Sequence, residues 1–269
     1  MDVDTPNQPP HEPGNNSGDN LVHAPRRVIG DRGAAWLVEG WDTFKAAPAQ
    51  WIGLCIVGFI IFCIINFIPG VNALNALLQP VWIAGVMVAC HAQRNGEAIR
   101  ISHLFAAFGP KAGRLILCSV VIGACSALLA LITFGSLMVD FANATDPALI
   151  VHQDPSGFVL RLLIFLALVL PLYAAYWFAP ALIIFSDMSA IAALKQSFAG
   201  CMKNMWPFTI YSLCLMVLGI VVVMTIGIAS LLGSIGTVLA GFAMVVGLLV
   251  IVPVSYSSIY LSFRDIFVD

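Results

Sequence analysis

The sequence predicts an all-α fold: a polytopic transmembrane helical bundle of about six spans, with short interfacial helices. Three observations predict it. Hydrophobic residues make up 60% of the 269 residues and charged residues only 10%, where a soluble domain carries roughly 25% charged residues. The mean hydropathy is +0.96. Six long apolar runs alternate with short polar segments. A soluble protein must cover its surface with polar groups, and lipid removes that requirement. The net charge of −2 gives no electrostatic basis for binding nucleic acid.

Residues 1–30 read as a disordered cytoplasmic tail, and 31–269 as one transmembrane domain with a leading interfacial helix. Up to Pro25 the tail is rich in Pro, Asn, Asp and Gly and holds too few large apolar residues to pack. No cleavable signal is expected, because the first apolar run begins near Trp51 and is too long for a signal core. Over 31–45, Leu37, Trp41 and Phe44 share one helical face, which predicts a helix lying on the membrane with Trp36 and Trp41 at headgroup depth.

A span needs roughly 20 apolar residues. The runs at 51–69, 72–91, 114–139, 158–185, 207–230 and 236–260 meet that length. Pro69 and Gly70 mark the first hairpin turn, and 233–236, with Gly at both ends, marks the last. The fourth run contains Pro171 and Pro180, which predict a tilt or kink.

Orientation follows from the basic residues. With an even number of spans, 11 of the 12 Lys and Arg fall on one side, and only Arg161 falls on the other. The positive-inside rule makes the basic side the cytoplasm, with both termini there, in a bacterial inner membrane.

Each odd span follows a short segment with aromatic residues and a proline, at 40–51, 102–111 and 196–208. The even spans share a proline at Pro80, Pro180 and Pro253, and these are candidate hinges. The chain therefore fits three copies of interfacial helix plus hairpin, although prolines and aromatics gather at membrane interfaces in any case. Four stretches carry a resemblance: 40–51, 80–85 (Pro-Val-Trp-Ile-Ala-Gly), 176–181 (Tyr-Trp-Phe-Ala-Pro-Ala) and 195–208. Over about residues 35–265 the chain resembles an uncharacterised family of six-helix bacterial inner-membrane proteins. It is more distantly similar to the membrane domain attached to some glycerophosphodiester phosphodiesterases. That resemblance implies a fold and a location. It implies no activity, since the phosphodiesterase catalytic domain is absent.

The spans hold no acidic residue at mid-depth, and no nucleotide-binding, serine-hydrolase or zinc-protease motif is present. The seven cysteines form no Cys-x-x-Cys pair, and the five histidines show no ligand spacing. No enzyme, cofactor or metal is therefore expected. Three uncharged polar sets remain: Asn66, Asn75 and Gln79; Tyr173 and Tyr176; Ser255 and Ser258, with Tyr256 and Tyr260 nearby. They serve either as hydrogen-bonding glue between helices or as a polar path for a small solute. Arg161 either snorkels to the outer interface or pairs with Asp140 or Asp154. Small-residue pairs such as Gly123 and Ala127 permit close helix packing, within one chain, in a homo-oligomer or against another membrane protein. Two roles stay open: a non-enzymatic scaffold, assembly or envelope-maintenance component embedded in the lipid bilayer, and a small-solute transporter or exporter.

Overall fold

The computed structural model describes residues 24–68, 70–71, 73–143 and 155–268. It is all-helical. A short helix α1 (Arg32–Ala46) leads into the first hairpin, α2 (Pro48–Phe67) and α3 (Ala73–Arg94). A 3-10 turn (Ile101–Phe105) leads into α4 (Ala112–Asn143), α5 (Pro155–Trp177) and α6 (Ala179–Phe185). Then α7 (Ala190–Lys203) leads into α8 (Met205–Ser230) and α9 (Gly233–Phe267). Among the described residues six stretches are long and apolar enough to cross a membrane, with α5 and α6 counted as one from Pro155–Phe185.

Proline lies in the first turn of two of the three odd spans, where a missing N–H costs nothing, while Pro110 falls in the turn before α4. Pro48 is the first residue of α2, and Pro207 lies in the first turn of α8. The first hairpin turns at Gly70, whose φ of 81° suits glycine. The last turn falls at Leu231 and Leu232, ahead of the expected 233–236, and Gly233 with φ 72° opens α9.

The elements fall into three units of the same order: a short helical element, an outgoing span and a returning span. Each short element packs mainly on the hairpin before its own. The 3-10 turn lies on α2 and α3, α7 lies on α4 and α5, and α1 closes the circle by lying on α8 and α9. Close backbone approach makes two of these contacts. A Cβ at Gly40 of α1 would sit 2.7 Å from the Val254 carbonyl oxygen, and one at Gly85 of α3 would sit 2.5 Å from that of Leu104.

A proline marks the same register in every returning span. Pro80, Pro171 and Pro253 each lie 14 residues before the last residue of their span, at Arg94, Phe185 and Phe267. The docking contacts follow each proline by a turn or two, at Gly85, at Ala174 and Phe178, and at Ser258. The position equivalent to Pro80 and Pro253 is thus Pro171, whereas the sequence pattern paired them with Pro180. Pro180 has another place, beside a break at Phe178. There the Ser197 hydroxyl accepts from the Phe178 amide (2.9 Å) and donates to the Ala174 carbonyl (2.8 Å). It replaces the helical bond between those two residues, and an inserted side chain of this kind kinks a helix.

The core lies at the end that carries the short elements. Trp36, Trp51, Met87, Phe178, Phe263 and Phe267 are fully buried there. The other half of each span presents apolar side chains outward, as lipid-facing helices do. The helix α1 is therefore part of the core and does not lie free on a membrane. Its buried face is Gly33, Trp36, Gly40 and Phe44, while Trp41 stays exposed. The apolar pattern missed that face because two of its four positions are glycines.

Candidate functional site

Charged side chains converge where α1 meets the end of α9. Asp265 accepts from Arg32 Nε (2.6 Å) and from the Trp36 indole N–H (2.7 Å). Arg32 also pairs with Glu39 at 2.7 Å, two turns along the same face of α1. Hydrogen bonds donated to Glu39, then to Asp265, push the Arg32 pKa above its ordinary value against the cost of desolvation. The buried Asn204 pins the preceding segment: it accepts from the Val28 amide (2.8 Å) and donates to the Arg26 carbonyl (2.8 Å). The Arg26 amide in turn donates to the Ile266 carbonyl at 2.9 Å. Residues 25–28, which composition grouped with the polar tail, are thus docked on both ends of the third unit; residues 1–23 lie outside the described residues.

A second network ties α1, α2 and α3. The Trp51 indole donates to Gln93 Oε1 (3.0 Å), the Gln93 amide donates to the Thr43 carbonyl (2.8 Å), and the Ile99 amide donates to Gln50 Oε1 (3.0 Å). Sequence reasoning missed Asp265, Asn204 and Gln93. Their only sequence signal is that they are polar residues adjoining spans, and nothing local names their partners.

The polar sets singled out from the sequence do not come together as one site. Asn66 donates to the Phe62 carbonyl one turn back (2.9 Å), and Asn75 reaches the same carbonyl across the hairpin (3.4 Å). Gln79 is exposed on α3. Ser258 is buried against Tyr211 of α8, with 2.8 Å between the hydroxyls, and also donates to the Ser255 carbonyl. Tyr260 meets His91 Nδ1 at 2.9 Å. Arg161 donates to Ser136 of α4 at 2.8 Å. The alternative pairing of Arg161 falls on the Asp140 side chain and on Asp154, which lie outside what the structure describes. Tyr176 lies beside Ser119, Tyr173 and Tyr256. Its hydroxyl and the neighbouring Trp177 indole N–H are buried without a hydrogen bond of ordinary geometry.

No three His, Cys, Asp or Glu come together among the described residues as metal ligands. The carboxylates near the core, Asp265 and Glu39, are engaged by Arg32.

The six long apolar helices among the described residues mark an integral membrane protein. The chain is similar to a probable inner membrane protein of Burkholderia thailandensis, with 28% identity over 258 residues, 89% of this chain and 92% of that protein. No family model matches the chain, and no solved structure matches it. The comparisons lend no support to the likeness with the membrane domain of glycerophosphodiester phosphodiesterases.

Proposed function

We propose that the chain is a non-enzymatic component of the bacterial cytoplasmic membrane, a scaffold, assembly or envelope-maintenance factor, with the short-helix end facing the cytoplasm. One observation carries this reading. The polar side chains that could have lined a path do not come together as one site: Ser258 joins Tyr211, Asn75 joins the Phe62 carbonyl, and Asn66 bonds within its own helix. The short-element end of the bundle is filled by a packed aromatic core. The relative's description as an inner membrane protein supports the location, and the clustering of Lys and Arg supports the orientation.

A second reading, transport or export of a small solute, draws on Tyr173, Tyr176, Ser119 and Tyr256, hydroxyl groups gathered inside the spans. Native mass spectrometry of the chain gently extracted from its own membranes separates the two. The scaffold reading expects a protein partner in fixed stoichiometry and no bound water-soluble solute. A bound solute that disappears in Tyr176→Phe, with folding intact, would establish the transport reading instead.

A further inference from the structure

All three short elements leave apolar side chains open on the side away from the core: Val38 and Trp41 on α1, Ile101 and Phe105 on the 3-10 turn, and Ile191, Phe198 and Met202 on α7. They stand beside the span ends, at the depth where hydrocarbon gives way to lipid headgroups. Charge distinguishes the three. On α1 the acids are matched, Glu39 by Arg32 and Asp42 by Lys45 (2.8 Å). Beside the 3-10 turn Arg100 and Glu97 are both exposed. On α7 there are two lysines and no acidic residue from Ala190 to Lys203. Ile191, Lys195, Phe198 and Met202 recur every three or four positions and so share its open face, while Ala193, Leu194, Ser197, Gly200 and Cys201 form the buried one.

The open face of α7 continues onto α8 and onto the segment before α1. Met205 and Trp206, 61% and 68% exposed, open α8. The Trp206 ring lies over Gly30, where an added Cβ would come within 2.4 Å of it, and the neighbouring Ile29 is 68% exposed. Lys203 donates to the Pro25 carbonyl (3.0 Å), which brings the segment carrying Arg27 to the same corner. Arg27, Lys195 and Lys203 are exposed, and none forms an ion pair among the described residues. Of the acids on the adjoining segments, Asp187 accepts from Arg114 (2.6 Å) and Asp265 from Arg32 (2.6 Å), which leaves Asp31 against three cations. A face that is apolar beside a span end and cationic at its rim matches a partner of the reverse layout, apolar chains ending in negative charge. An acidic protein matches the charge only, whereas an anionic phospholipid matches both, and each cation beside a leaflet favours anionic lipid by about fivefold.

We propose that the corner made by α7, the start of α8 and residues 25–30 is a docking surface for anionic phospholipids, whose chains lie against Met202, Met205 and Trp206 and whose phosphates pair with Arg27, Lys195 and Lys203. The surface goes beyond the scaffold reading and does not depend on it. The other two short elements, whose charges are balanced, have no such preference.

The test uses the full chain reconstituted in vesicles of equal parts phosphatidylethanolamine and phosphatidylglycerol. It carries photoreactive p-benzoylphenylalanine in place of Met202 or, as the control on α1, in place of Val38, both exposed positions. Adducts at position 202 should favour phosphatidylglycerol by about fivefold or more, and those at position 38 should follow the bulk composition. Arg27→Gln combined with Lys195→Gln should return the ratio at 202 to that of the bulk lipid, with the melting temperature unchanged, since both side chains are exposed. If the double variant melts lower, Lys195→Gln alone decides, and it should still lower the preference. Equal ratios at 202 and 38, or a preference at 202 that survives these substitutions, would overturn the surface. Irradiation of the same chain in its own membranes tests the other occupant: a discrete protein adduct at 202 in place of lipid would assign the face to a protein and overturn the surface as well.

Discussion

Asp265 shows how much one carboxylate does in this molecule. It receives a guanidinium and an indole from α1, some 230 positions earlier in the chain, and so ties the first unit to the last. The site is part-buried, which makes each charge-assisted bond worth more than a surface ion pair. Asp265→Ala leaves Arg32 and Trp36 without their acceptor and should cost about 2 kcal/mol, the worth of a hydrogen bond to a charged group. Asp265→Asn keeps an acceptor for the indole and should cost roughly half as much. Thermal melting in mild detergent reads both. Equal melting temperatures for wild type and Asp265→Ala would show that the contact contributes nothing.

At the scale of elements, the spans and their alternation follow from hydropathy and the distribution of basic residues. Orientation is tested at the span ends. Asn143 closes α4 at the end away from the short helices, while Glu97 is exposed between α3 and the 3-10 turn. In a background without native cysteines, Asn143→Cys should react with an impermeant maleimide in spheroplasts and Glu97→Cys should react only after lysis. The opposite pattern would invert the topology.

Those six spans were legible because a single-helix property, apolar length, determines them. The docking of the short elements was not. The faces of α1 and α3 that make close contact centre on Gly40 and Gly85, and glycine adds no apolar signal. The registering proline was misread for a related reason. Pro180 and Pro171 look alike in sequence, and only the distance to the end of the span and the Ser197 contact distinguish them. The three uncharged polar sets were legible only as polar residues within apolar spans. Their partners, such as Tyr211 for Ser258 and Ser136 for Arg161, depend on which helices become neighbours.

For the whole molecule, the defining feature is a circle of three units in which each short element rests on the preceding hairpin. Two of the three junctions are covalent, through residues 95–100 and 186–189. The third is made without a peptide link, by residues 25–36 lying against Ile266, Asp265 and Asn204. If the circle holds the bundle together, it does not matter which junction is cut. A chain beginning at Met188, with Val268 joined to Ala24 by a short glycine linker and ending at Asp187, keeps every unit and every short element at the same end of the bundle. Its melting temperature in mild detergent, compared with that of the unpermuted chain, is the most direct measurement. A cooperative transition within a few degrees of the original is the result expected of three mutually docked units. A permuted chain that inserts but melts without cooperativity would contradict the circle and leave six spans joined only in sequence.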